Sequence, residues 1–165
     1  MITIKKSKIA GKGVFATRDI KKGLRICFMS GEEMDIYEMI RRVDETEEEE
    51  GSDIFQIDDE MYIDLDEMPR TINHSCDPNA FVRGKNELVA LRDIKNGEEI
   101  SYDYSTTMND NADIIGKDYL WTCKCKCGAS NCRKIIDQFK TLPKKKRDYY
   151  LDNDLVPDHV KNHQF

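Results

Sequence analysis

Short apolar stretches separated by glycines and charged turns dominate the first two thirds of the chain. Ile2-Thr3-Ile4, Gly13-Val14-Phe15-Ala16 and Leu24-Arg25-Ile26-Cys27-Phe28-Met29 open it. Their length and their β-branched and aromatic content predict strands. Strand signals resume at Ile54-Phe55-Gln56-Ile57 and Met61-Tyr62-Ile63-Asp64, with Asp58-Asp59-Glu60 as the turn between them. Further strands are predicted over residues 79–83, 87–91 and 99–104, separated by Gly84 and Gly97. Between Glu32 and Val43 the pattern changes: Met34, Ile36, Tyr37, Met39, Ile40 and Val43 fit one face of a short amphipathic helix. Many short strands with little helix predict a mainly β chain of irregular architecture rather than βαβ units.

One pattern occurs twice. Val14-Phe15-Ala16-Thr17-Arg18-Asp19-Ile20-Lys21-Lys22-Gly23 echoes Leu88-Val89-Ala90-Leu91-Arg92-Asp93-Ile94-Lys95-Asn96-Gly97. Both set an apolar strand before Arg-Asp-Ile-Lys-x-Gly, and the glycine can take the positive φ of a turn. Two copies are too few for a solenoid. They read as one turn used twice in a single β fold.

The last third has a different character. Residues 105–118 are polar and read as loop. A helix is predicted over residues 133–140, and a second one starts at Pro143 and runs through Tyr149-Tyr150-Leu151. Residues 124–147 hold nine Lys or Arg and a single acid, Asp137, whereas residues 44–60 hold ten acids and no Lys or Arg. The acidic run reads as a solvated loop, or as an acidic rim that attracts a basic partner. Lys144-Lys145-Lys146-Arg147 reads as a solvated helix face.

Charge and length narrow the function. Over 165 residues, Lys and Arg total 26 and Asp and Glu 32, a formal net charge of -6. That balance argues against sequence-independent binding to DNA or RNA, which needs a cationic field. No apolar run approaches the ~18 residues of a membrane helix. The N-terminus lacks the apolar core of a secretory signal. The expected setting is intracellular, which makes the 6 cysteines poor candidates for a disulfide framework. Cys27 and Cys76 stand apart, while Cys123, Cys125, Cys127 and Cys132 crowd into ten residues. Thiolates this closely packed can converge on a soft cation, and zinc is the usual one.

Three further segments carry chemistry. Gly11-Lys12-Gly13 stands before a strand and serves either a tight turn or the close approach of backbone to a ligand. Asn73-His74-Ser75-Cys76-Asp77-Pro78-Asn79 is dense in hydrogen-bonding and metal-binding side chains. In Glu98-Glu99-Ile100-Ser101-Tyr102-Asp103-Tyr104, strand alternation sends Tyr102 and Tyr104 to the same side.

These segments and Cys125-Lys126-Cys127-Gly128-Ala129-Ser130-Asn131-Cys132-Arg133, in this order, resemble a SET-domain protein lysine methyltransferase of the small stand-alone type with a post-SET zinc segment. The resemblance covers about residues 1–135. It implies a SET-domain β fold of several small sheets with a knot-like active-site region, followed by the zinc segment and a helical C-terminal tail. The implied division is a SET domain over 1–118, a post-SET segment over 119–135 and a helical extension over 136–165.

The family's residue roles carry over by position. Lys12 and Gly13 would cradle the methionine moiety of S-adenosylmethionine, and Asn73 and His74 its amino group and adenine region. Tyr104 would be the catalytic tyrosine, and Tyr102 would restrict rotation of the substrate amine. Zinc would be held by Cys76, Cys125, Cys127 and Cys132, with Cys123 as a competing neighbour and Cys27 a buried small hydrophobe. Trp121 would either roof the pocket or serve ordinary packing. Many relatives read Gly-Asn-x-x-Arg-Phe before the Asn-His pair, whereas only Arg70 of that run stands in Asp66-Glu67-Met68-Pro69-Arg70-Thr71.

The implied partner is a lysine-containing basic protein or peptide, such as a histone tail, with no membrane and no direct nucleic-acid binding. The implied setting is the cytoplasm, or the nucleus and chromatin in a eukaryote. A catalytically silent, zinc-stabilised peptide-binding module is the alternative from another class.

Overall fold

Four small sheets divide the strands in the computed structural model, which describes residues 1–45, 54–116 and 120–163. The chain opens with β1 (Ile2–Lys6), β2 (Lys12–Ala16), β3 (Arg25–Phe28), β4 (Gly31–Asp35) and helix α1 (Ile36–Glu45). β5 (Ile54–Asp58), β6 (Met61–Leu65), α2 (Glu67–Arg70), β7 (Asn73–His74), β8 (Ala80–Arg83), β9 (Glu87–Ala90) and β10 (Glu99–Tyr102) follow. The last part holds α3 (Ala112–Ile115), β11 (Cys123–Lys124), β12 (Ile135–Ile136), α4 (Lys144–Asp152) and α5 (Asp158–Lys161). Two 3-10 turns, Tyr104–Thr106 and Phe139–Thr141, complete the described elements.

The sheets run in the orders β1-β2-β10-β7, β3-β9-β8, β4-β6-β5 and β11-β12. β7 pairs parallel to β10, with Asn73 opposite Ser101 and His74 opposite Tyr102, while the other pairings are antiparallel. A central core of Val14, Ile20, Met29, Leu88, Ile94 and Ile100 lies between them. β9 contributes Leu88, Val89 and Ala90, all fully buried, as expected of a strand covered on both faces. Phe139, Leu142, Tyr150, Leu155, Val156 and Val160 of the C-terminal tail form a second cluster against Phe81 and Leu91. The tail therefore shares a core with the β8–β9 sheet.

Two elements differ from the sequence expectation. The helix expected from Glu32 begins at Ile36, because Gly31–Asp35 pairs with β6, with Met34 opposite Tyr62. Asp35 Oδ1 then accepts from Glu38 N at 2.9 Å and caps the helix, whose Ile36, Met39, Ile40 and Val43 pack inward. The helix expected over 133–140 is absent. Lys134 has φ +71, outside the helical range, and Ile135–Ile136 pairs with β11 instead. The tail helix does start after Pro143, which suits the first turn because its missing N–H would be unpaired there. The Glu47–Glu50 run lies outside the described residues.

The echoed Arg-Asp-Ile-Lys-x-Gly segments clasp each other. Ile20 and Ile94 exchange both backbone hydrogen bonds, each at 2.8 Å. Gly23 N donates to Ala90 O and Gly97 N to Ala16 O, again at 2.8 Å each. Asp19 Oδ1 accepts from Asn96 N while Asp93 Oδ1 accepts from Lys22 N, both at 2.9 Å. Each copy thus caps the other, and both glycines sit at φ +82. The lysine–carboxylate pairs that decorate this clasp, Lys21–Asp93 and Lys95–Asp19, are exposed to screening solvent and add little to stability.

Gly97→Ala should therefore destabilise the chain by about 1 kcal/mol or more, because an L side chain is strained at that φ. Lys95→Ala should cost clearly less, because its partner is an exposed carboxylate. Urea denaturation of both variants measures the difference, and equal midpoints would contradict the clasp.

Candidate active site and metal centre

β10 ends at Tyr102 because Asp103 caps a helical turn. Its Oδ1 accepts from Ser105 N at 3.2 Å and its carbonyl from Thr106 N at 2.9 Å, which winds Tyr104–Thr106 into a 3-10 turn. Strand alternation therefore does not extend to Tyr104. The turn still brings the two tyrosine rings together, with centroids 4.8 Å apart. The Tyr104 hydroxyl donates to Ile72 O at 2.6 Å, and its ring meets His74 edge-on at 5.3 Å and Trp121 at 6.3 Å. Burial holds the Tyr102 phenol well above its ordinary pKa, so it stays neutral.

Sulfur atoms gather directly behind this turn. His74, Cys76, Cys125 and Cys127 each place a ligand atom within 4.8 Å of the others. Cys76 Sγ lies 3.8 Å from Cys125 Sγ, and a tetrahedral site with Zn–S of about 2.3 Å sets its sulfurs about 3.8 Å apart. Cys132 joins the group through thiol contacts with Cys125 and Cys127. Burial and neighbouring thiols hold Cys125 in the protonated form. Burial opposes ionisation of Cys127 too, but the N–H groups of Cys76 and Ala129 bring it down to about 7. Such a crowd of thiols ionises together only around a cation, and the donor set fits a soft dication. Cys123 sits on β11 opposite Ile136, outside this cluster. Cys27 packs against the central core, where burial pushes its thiol up to about 11.

Hydrogen bonds distinguish His74 from the thiols. Burial brings its pKa down to about 4, so the ring is neutral near pH 7. Nδ1 accepts from Tyr104 N at 3.1 Å, which puts the ring's proton on Nε2. Nε2 faces Cys76 Sγ at 3.3 Å and donates to it. In this tautomer Nε2 offers Cys76 a proton rather than offering a cation a lone pair, the arrangement of a partner that orients a metal ligand from behind. His74 thus links the sulfur cluster to the backbone of Tyr104.

The third constellation meets the same strands from the other side. Asn73 Nδ2 donates to Lys12 O at 2.9 Å and to Glu99 Oε1 at 2.8 Å, and Ser7 Oγ donates to the same oxygen at 2.7 Å. A Cβ on Gly13 would collide with the Glu99 carboxylate and the Asn73 amide, so this glycine serves the close approach of protein side chains. With its NH2 committed, Asn73 keeps Oδ1 as an acceptor suited to a ligand's ammonium. A cavity of about 680 Å³ opens beside the tyrosines, walled by Met39, Phe55, Tyr102, Tyr104, Ile115 and Trp121 among others.

Three residues central to this arrangement stand inside the quoted motifs without a role of their own there: Glu99, Asp103 and Arg133. Arg133 donates to both oxygens of Asp103, at 2.7 and 2.6 Å, and its own N–H points at Cys76 Sγ at 3.4 Å. Asp103 lies between the two quoted tyrosines, and Arg133 follows the last clustered cysteine. An acid set between two aromatics that become buried must find charged or hydrogen-bonding partners inside the protein.

Cobalt substitution reads the ligand set directly. Cys132→Ala should lower the thiolate-to-metal charge-transfer intensity of the cobalt-loaded protein, whereas His74→Gln should leave it unchanged. An unchanged charge-transfer band in Cys132→Ala would leave three thiolates and make His74 the candidate fourth ligand.

Comparison with known proteins places this geometry. The family profile described as SET domain matches residues 11–105. The variant-silencing SET domain-containing protein of Plasmodium falciparum is 37% identical over 147 residues, covering 79% of this chain and 5% of that protein. Histone-lysine N-methyltransferase trr of Drosophila melanogaster is 33% identical over 148 residues, covering 82% of this chain and 6% of that protein. The chain thus spans a small part of the length of these relatives. The methyltransferase domain of human histone-lysine N-methyltransferase SETMAR superposes with a TM-score of 0.66 at 24% identity, over 83% of this chain and 58% of that one. With a profile match over more than half its length and the fold to go with it, this chain belongs to the SET-domain family.

Proposed function

We propose that this chain is an S-adenosylmethionine-dependent protein lysine N-methyltransferase acting on a histone tail or another basic protein. The observation that carries this reading is the Tyr104 phenol, held at the cavity wall between Tyr102, His74 and Trp121. The names of the relatives support the activity in general and favour histone as the substrate class. A histone substrate would put the protein at chromatin. Among the described residues no helix is long and apolar enough to cross a membrane.

Bound S-adenosylmethionine supplies an electrophilic sulfonium methyl. Lys12, Gly13 and Asn73 would hold its amino-acid end, with Asn73 Oδ1 accepting from the ammonium. The His74 ring is engaged by Tyr104 N and Cys76 Sγ, so its contribution to the cofactor falls to its backbone. Cys76, Cys125, Cys127 and Cys132 would hold zinc and keep the 119–135 segment, with Trp121, over the cavity. The SET domain would span 1–118 and the tail 136–165; the 118/119 boundary lies outside the described residues.

The chain's own contribution is alignment and deprotonation. Lysine attacks only as the neutral amine, and its solution pKa is about 10.4. Apolar walls such as Met39, Phe55 and Ile115 disfavour the ammonium and so lower that value. Tyr104 is fixed at both ends, by its N–H on His74 and its hydroxyl on Ile72 O, so the amine meets a rigid wall. Tyr102 presses against that ring and narrows the space in which a methylated amine could turn, which favours monomethylation. Orientation of this kind supplies much of the barrier reduction in an in-line displacement.

Tyr104→Phe should retain the fold and lower methyl transfer on the order of a hundredfold or more. Mass spectrometry of core histones and of a lysate incubated with labelled S-adenosylmethionine measures this. It also returns the modified lysine and its methyl count. Wild-type turnover in the variant would remove Tyr104 from the mechanism. Cofactor binding without transfer to any protein would favour a silent peptide-binding module.

A further inference from the structure

The C-terminal tail reaches the active site through one hydroxyl. Tyr150, in the middle of α4, is buried and donates from Oη to Asp103 Oδ2 at 2.7 Å. Its ring packs in the cluster of Phe139, Leu142, Leu155, Val156 and Val160. Burial and the neighbouring carboxylate both hold the phenol above its ordinary pKa, so it remains a donor throughout the working pH range. The residue beside it, Tyr149, is half exposed and has no such role.

The Asp103 side chain is 0% exposed, so its oxygens must find their partners inside the protein. Oδ1 takes Arg133 Nη2 and Ser105 N; Oδ2 takes Arg133 Nη1 and the Tyr150 hydroxyl. Ser105 N belongs to the turn that carries Tyr104. Arg133 belongs to the cysteine segment, and Tyr150 to the tail. A carboxylate held by donors from three directions cannot rotate about its side-chain bonds without breaking one of them, and buried charge-assisted bonds are costly to break. The capping oxygen Oδ1 therefore has a fixed place, and the pitch of the Tyr104–Thr106 turn follows from it.

We propose that Tyr150 is a positioning residue for the catalytic Tyr104: its hydroxyl fixes the Asp103 carboxylate that caps the Tyr104 turn, which makes the tail helix part of the catalytic unit. This rests on the role given to Tyr104 above. Tyr150 is not among the residues that wall the cavity, and it acts through Asp103. Loss of the hydroxyl frees Oδ2 on one side while the aromatic ring keeps its packing.

The test uses the full zinc-loaded chain carrying Tyr150→Phe, with Tyr149→Phe as the control. Steady-state methylation of core histones should show kcat lowered about tenfold, with KM for S-adenosylmethionine within about twofold of wild type. Tyr149→Phe should match wild type in both. In parallel, amide hydrogen exchange of residues 104–107 should quicken about tenfold in Tyr150→Phe while β1 and β2 exchange as before. Unchanged kcat, or unchanged exchange at 104–107, overturns the proposal. So does an equal quickening throughout the chain, which would mark a purely structural role. A wild-type chain that methylates no protein defeats the methyltransferase reading; the exchange comparison then still decides whether Tyr150 fixes the turn.

Discussion

A carboxylate removed from water has to be surrounded, and Asp103 shows how much structure that single requirement organises. Leaving a buried ion without its partner costs about 3–5 kcal/mol, more than most individual contacts in a small domain. Here the partner is Arg133, whose charge is disfavoured by burial yet secured by the hydrogen bonds and charge of Asp103. The pair therefore forms only when the cysteine segment is folded over the turn. Because Arg133 N also faces Cys76 Sγ, the sulfur cluster and the neutralised carboxylate share the same stretch of backbone, and a metal bound by the thiols would be coupled to the ion pair.

Everything near the tyrosines leans on this arrangement. His74 connects the sulfur cluster to Tyr104 N, and Ile72 O takes the Tyr104 hydroxyl, so the ring is held by β7 and the residue before it. On the opposite face, Asn73 and Glu99 fasten the Lys12–Gly13 strand to the same sheet. The reciprocal clasp between Ile20 and Ile94 lies farther away and supplies rigidity rather than chemistry. The division of labour is clear: backbone and apolar burial build the small sheets, whereas a few charge-assisted bonds set the site.

Much of this was legible from local pattern. The strands from Ile54 to Leu65 and the double Arg-Asp-Ile-Lys-x-Gly turn follow from alternation and from glycine chemistry. Cys76 and Cys125 meet across 49 positions, a pairing implied by the family resemblance of the motifs at 73–79 and 125–133 and not by their spacing. What escaped depends on partners far along the chain or on a single backbone torsion. Tyr150 lies 47 positions from Asp103, and nothing in Tyr149-Tyr150 marks which ring turns inward. The expected helix over 133–140 fails because Lys134 leaves the helical region while β12 pairs with β11. Strand alternation predicted the tyrosine pair, yet the pair forms because Asp103 ends the strand.

The cysteine cluster and the buried carboxylate should behave as one cooperative unit, and a thermodynamic cycle measures that directly. Unfolding free energies are needed for the zinc-loaded chain, Asp103→Asn, Cys132→Ser and the double variant. Releasing the cysteine segment should free Arg133, so Asp103→Asn should cost less in the Cys132→Ser background, with a coupling of about 1–3 kcal/mol. Additive effects, agreeing within about 0.5 kcal/mol, would show that metal site and carboxylate fold independently, and would contradict the account.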